Sequence, residues 1–194
     1  MKIFYYDLET TGVFHWKNGI HQISIIIEID GDIKERLDLK VRPNPAAKIE
    51  KEALDIAGVT LEQVLSYPPM EDIYHKIISI LGKYVNRFDR TDKFHLCGFN
   101  NANFDNNFFR AFFVQNGDNY FGSWFWADSI DVMVLASSIF KSHRKKMANF
   151  KLMTVAKHFG IKVEESKLHD AMYDVELTYF IHKKIERGET TFIN

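Results

Sequence analysis

Cysteine is almost missing from these 194 residues: Cys97 stands alone, inside the apolar run FHLCGF. A single thiol excludes a disulfide framework and any cysteine-based metal site, and its apolar flanks predict burial. Proline is scarce too, at 4 residues, and no Pro-, Gly- or Ser-rich stretch reads as a linker. No internal repeat or low-complexity tract appears, so the expectation is one domain over residues 1–194. No apolar run nears the roughly 18 residues that a membrane span needs. Acids stand at Asp7 and Glu9, where a signal peptide would need its apolar stretch, so an intracellular, cytoplasmic setting is expected. Nor is there a charge excess of either sign, with 25 basic against 26 acidic residues. A nucleic-acid surface would therefore have to be a local patch and not a global field.

What is abundant is aromatic and β-branched side chains, including 17 Phe, enough for a substantial core. KIFYYDLETTG (2–12) opens as an aromatic strand and ends in a turn. IHQISIIIEID (20–30) is a second strand, Asp30-Gly31 a hairpin signal, and 33–42 a third strand, giving an antiparallel meander. A short helix over 48–57 stops at Gly58. Thr60 and Gln63 form a capping box for another helix. Residues 70–88 carry apolar positions at helical spacing. A short buried strand follows at 94–99. Phe108, Phe109, Phe112 and Phe113 put an aromatic stripe on a helix over 103–115, read as core. A strand is expected over 121–130, then Asp131 as an N-cap for a helix over 132–140. Lys141–Lys146 (KSHRKK) is the one dense basic cluster, read as a solvated helix end that could also meet phosphates. Helices over 150–159 and 171–186 complete an α/β chain.

The opening strand poses an electrostatic problem. Successive strand side chains alternate faces, so Asp7 and Glu9 point the same way. Like charges 4 Å apart repel by about 4 kcal/mol at an effective dielectric of about 20. One must take a proton, or a cation must sit between them. Two later stretches bear on this, GFNNANFD with Asp105 and LHDAMYD with His169 and Asp174. Each places an acid at an element boundary, and in α/β sheets chemistry gathers at strand ends. Four carboxylates around one point need metal, and oxygen-only ligands suit Mg²⁺ or Mn²⁺. Two such ions about 3.5–4 Å apart can clamp the attacking and leaving oxygens of a phosphodiester. An imidazole with an ordinary pKa of about 6.5 can take the proton of the attacking water.

DLETTG, NNANFD and HDAMYD, in this order, resemble the motifs of the DEDD superfamily of 3′–5′ exonucleases in its His-containing branch. That branch includes the proofreading epsilon subunit of DNA polymerase III and ribonuclease T. ALDIAGVTLEQV, DVMVLA and KLMTVAKHFGI resemble the connecting segments, so the likeness runs over nearly the whole chain. It implies a ribonuclease H-like fold, a mixed five-stranded sheet with helices on both faces. It implies two divalent ions, Mg²⁺ or Mn²⁺, with Asp7 on both, Glu9 and Asp174 on the one beside the attacking water, and Asp105 on the other. His169 would be the general base, and Asn101 matches the second motif's Asn, which supports site geometry.

The implied reaction is removal of nucleoside 5′-monophosphates from the 3′ end of single-stranded DNA. The threonine pair Thr10-Thr11 resembles the DNA-proofreading relatives. RNA is the alternative substrate, since ribonuclease T shares the NANFD-type motif, and a non-catalytic nucleic-acid-binding domain of the same fold is a further one. Phe14 and Trp16, directly after the first motif, could stack on terminal bases or fold back on the core. Epsilon-like subunits continue into a polymerase-binding extension, whereas seven residues follow Arg187 here. The expectation is a free-standing enzyme, of a kind whose relatives include homodimers.

Overall fold

The computed structural model describes residues 1–164, 166 and 170–193. Five strands form one sheet in the order β3-β2-β1-β4-β5: β1 is Lys2–Thr10, β2 Ile20–Ile29, β3 Asp32–Lys40, β4 Phe94–Gly98 and β5 Phe125–Asp131. β1 to β3 run antiparallel, while β4 lies parallel to β1 and β5 parallel to β4. This is the expected mixed sheet with its antiparallel meander. Asp30 and Gly31 both take positive φ, 51° and 90°, the conformation a two-residue type I′ hairpin demands.

β1 is central and buried on both faces, which its alternation turns to two different uses. Phe4, Tyr6 and Leu8 face one core, with helices α3 (Met70–Tyr84) and α4 (Asp105–Gln115). Ile3 and Tyr5 face the other, with α5 (Val132–Ile139), α6 (Leu152–His158) and α7 (Ala171–Glu186). Asp7 and Glu9 continue the second series, so they emerge on the α7 side. The aromatic stripe of α4 is core, as read from its spacing: Phe109 packs 5.8 Å from Phe4 and 5.2 Å from Tyr6, ring centre to ring centre. Cys97 is buried and free, and burial raises its thiol pKa well above the usual range.

Helix ends follow their signals. Gly58 closes α1 (Lys51–Ala57) in the left-handed conformation at φ 67°. Thr60 and Gln63 form the reciprocal capping box of α2 (Leu61–Ser66). Asp131 caps α5 by accepting from the Met133 and Val134 amides. Three expectations shift. Strand β5 begins at Phe125, because Phe121–Ser123 forms a short 3-10 turn. Helix α3 ends at Tyr84, where Val85 turns to φ −125° and ψ 126°. KSHRKK is a 3-10 segment. Among the described residues, no helix is long and apolar enough to cross a membrane.

Candidate active site at the carboxyl ends of β1 and β4

Four acids from three elements converge at this sheet end. Asp7 and Glu9 pair in register with Ser24 and Gln22 of β2, so neither meets a basic neighbour across that ladder. Asp105 opens α4 and is 5% exposed. Asp174 lies in the first turn of α7. The turn between β4 and α4 is held by Asn100, at φ 64°, whose amide donates to Asp131 Oδ1 at 3.0 Å. Asn is among the few residues that tolerate this conformation. Asn101 behind it is fully buried. A Cβ on Gly98 would stand 2.7 Å from its Cβ, so the close approach at the end of β4 requires glycine. Tyr6 donates to Asn106 Oδ1, and Asn106 Nδ2 donates to Ser129 Oγ at 3.0 Å. These bonds tie β1, α4 and β5 together beside Asp105.

The electrostatics are those of acids crowded without compensation. Burial is the largest cause holding the Asp7 carboxyl well above its ordinary pKa, followed by the charges of Asp105, Glu9 and Asp174. Glu9 is pushed up to about 7 by burial, then by Asp174 and Asp105, with Lys40 opposing. Asp105 is also raised to about 7 by burial; amide hydrogen bonds from its own backbone and from Leu8 act against this, and the Asp131 charge adds to it. Asp7 and Glu9 thus sense the other acids of the cluster. Among the described residues, however, no group of three or more His, Cys, Asp or Glu side chains is already closed into a metal cage. The donor set is all oxygen, which suits Mg²⁺ or Mn²⁺.

His169 lies outside the described residues. Its neighbour Asp170 caps α7, accepting from the amides of Met172 at 2.9 Å and Tyr173 at 3.3 Å. The cap fixes where Asp174 projects, and Asp170 adds to the negative field on Glu9.

The loop after β1 is built more tightly than its sequence indicates. Thr11 is fully buried; its hydroxyl donates to the Lys48 carbonyl at 2.9 Å and accepts from the Gly19 amide at 2.9 Å. Thr11 therefore holds the loop, while Thr10, half-buried, donates to the Gly12 carbonyl at 2.8 Å. Asn18 completes the latch, donating to the Lys48 carbonyl at 2.9 Å and accepting from the Phe14 amide at 3.0 Å. A Cβ on Gly12 would fall 2.3 Å from Asn18 Nδ2, so DLETTG needs its glycine for close approach. Asn18 carries no local signal, since its partner Lys48 lies 30 residues away in sequence and follows no period. The latch presents Phe14 and Trp16 outward, at 41% and 72% exposure, with ring centres 5.0 Å apart. They are not folded into the core.

This fold matches that of known nucleases. A family model, RNase_T, described as Exonuclease, matches residues 4–181, and the chain belongs to this exonuclease family. The enzyme class expected from the motifs, a hydrolase of phosphodiester bonds, agrees with that family. Escherichia coli Exonuclease I in complex with a dT13 oligonucleotide has the same fold, with a TM-score of 0.75 at 20% identity over 95% of this chain and 41% of that one. Its complex with a dA16 oligonucleotide matches with a TM-score of 0.75, 20% identity and coverage of 96% and 41%. The zinc-bound E. coli Exonuclease I complex with single-stranded DNA gives the same four values. The chain spans about two fifths of the length of these structures. Among curated proteins, none matches the chain.

Proposed function

We propose that this chain is a metal-dependent 3′–5′ exonuclease of the His-containing DEDD branch, acting on single-stranded DNA and releasing nucleoside 5′-monophosphates. The observation that carries the reading is the burial of Asp7, Glu9 and Asp105 at one sheet end, where the charges of Asp105 and Asp174 raise the Asp7 and Glu9 carboxyls further. A fold otherwise lacks reason to bring such acids together at one sheet end. The family match over 4–181 supports treating residues 1–194 as one exonuclease domain. The oligonucleotides in the Exonuclease I complexes support single-stranded DNA as the substrate class.

In this reading Asp7, Glu9, Asp105 and Asp174 would hold two divalent ions, with Asp7 shared between them, Glu9 and Asp174 serving one and Asp105 the other. The bound ions, Mg²⁺ or Mn²⁺, would neutralise the acids and stabilise charge on the attacking and leaving oxygens. His169 takes the proton of the attacking water, a role worth about 10²–10⁴-fold in rate. Asp170, by capping α7, fixes the helix on which Asp174 stands. Phe14 and Trp16 stack on the terminal bases, and Thr11 and Asn18 hold them in place.

Incubation of 5′-labelled single-stranded DNA and RNA oligomers with Mg²⁺ or Mn²⁺ tests this. A ladder shortening from the 3′ end, faster on DNA and abolished by EDTA and by Asp7→Ala, is expected. Intact oligomers in the presence of folded protein and either metal would falsify the proposal.

A further inference from the structure

At the opposite end of the parallel strands, the molecule carries a groove that the acid cluster does not use. It is open, about 490 Å³, and is walled by Asn86, Arg87 and Phe88 over the ring of Trp124. The chain reaches it where α3 gives out at Tyr84 and turns toward β4. Phe88 is 87% exposed, unusually so for a phenylalanine in a chain with this much core to fill. The Arg87 guanidinium lies 5.3 Å from the Trp124 ring centre, 5.9 Å from that of Tyr120 and 5.7 Å from that of Phe88. Arg87 Nε and Trp124 Nε1 are buried with no hydrogen-bond partner among the described residues. Trp124 itself is 3% exposed.

Of the acids nearby, Asp92 is neutralised by Lys2, while Asp89 keeps its charge but is turned into its own loop. Asp92 is bound to Lys2 and accepts from the Asn86 amide at 3.0 Å. Asp89 accepts from the Thr91 amide at 2.8 Å and hydroxyl at 2.7 Å. Arg87 and Arg90 make no ion pair among the described residues. A second cation-on-ring pair lies between this groove and the acid cluster. Arg110, exposed and one turn along α4 from Asp105, sits 4.5 Å from the ring centre of Phe121.

We propose that this groove is a second binding site for single-stranded nucleic acid. It would hold an upstream part of the strand whose 3′ end reaches the acid cluster, and it rests on the exonuclease reading for that polarity. Exposed rings offer stacking that every base can use, and arginines on those rings meet the phosphates between bases, which is how single strands are held without sequence readout. The groove lies beyond the full length of β4, five residues at about 3.3 Å each. A strand must therefore carry several nucleotides past the site before it gains this contact. Short oligomers should miss it and longer ones should bind more tightly.

Fluorescence anisotropy with labelled dT4 and dT20 in EDTA tests the groove without turnover. Native protein should bind dT20 well above dT4. Phe88→Ala, at an exposed position that folding does not need, should weaken dT20 by about fivefold or more and collapse the difference from dT4. Arg87→Ala should lower the salt slope of dT20 binding by about 0.7 for a lost phosphate contact to a single strand. Tight dT20 binding lost in Phe88→Ala supports the groove even if no nuclease activity is found, which would sink only the exonuclease reading. Equal dT20 binding by native, Phe88→Ala and Arg87→Ala protein overturns the groove, whatever the activity, and would leave the surface to a protein partner.

Discussion

The two ends of the central strands are built from opposite materials. At the carboxyl ends, β1 and the helices beside it deliver Asp7, Glu9, Asp105 and Asp174; burial raises the first three carboxyls, and the charges of Asp105 and Asp174 raise Asp7 and Glu9 further. At the amino ends of β4 and β5, Arg87 lies over three aromatic rings, and nearby Asp92 is paired with Lys2. The first end is unfavourable without a cation; the second is comfortable and waits for an anion. Clustered like charges point to chemistry, since stability alone would disperse them, whereas cation-on-ring contacts serve packing and recognition equally. The acid end is the stronger functional signal for that reason, and the basic end needs a binding measurement to distinguish recognition from packing.

Removing the acids and the base should break the contrast most severely. Asp7→Ala should abolish exonuclease activity, and His169→Ala should lower kcat by about 10²–10⁴-fold while metal-dependent stabilisation persists. Steady-state rates with a melting scan of each variant separate the two effects. Full activity in His169→Ala would remove the general-base assignment.

Loop architecture gives the next largest effect. Gly12→Ala places a methyl 2.3 Å from Asn18 Nδ2, and overpacking of this kind costs about 1–3 kcal/mol. A melting-temperature drop of about 2–4 °C per kcal/mol is expected for a chain of this size, together with a raised KM as Phe14 and Trp16 lose their support. An unchanged KM would show that the latch does not position the rings. Trp16→Ala should act more narrowly, raising KM by about 1–3 kcal/mol in binding terms for one lost stacking partner, with no change in melting temperature.

Much of this was legible in the chain itself, for identifiable reasons. The acid motifs could be read because strand alternation and helix caps are local rules: Asp7 and Glu9 share a face, Asp131 caps α5, and Thr60 boxes with Gln63. The aromatic stripe of α4 follows helical period and packs as that period requires. What was not legible depends on contacts distant in sequence. Thr11 and Asn18 reach the Lys48 carbonyl, and nothing local marks them as a latch. Phe121–Ser123 has strand composition but turns as a 3-10 segment, with Phe121 packed against Phe113 at 4.9 Å. The groove at Arg87 is equally non-local, since Trp124 and Tyr120 come to it from the far side of α4.

If the acid cluster holds divalent cations, the stability of the fold must depend on both pH and metal. Glu9 and Asp105 have folded pKa values raised to about 7, above their unfolded values. Their contribution to stability is therefore complete below about pH 4 and is lost as pH rises through about 7. Melting temperatures in EDTA and in Mn²⁺ should be compared at pH 5 and pH 8, for native protein and Asp7→Asn. The account predicts that Mn²⁺ raises the native melting temperature at pH 8 far more than at pH 5, and that Asp7→Asn loses most of this gain while being more stable than native protein in EDTA at pH 8. A native melting temperature indifferent to Mn²⁺ at pH 8 would contradict it.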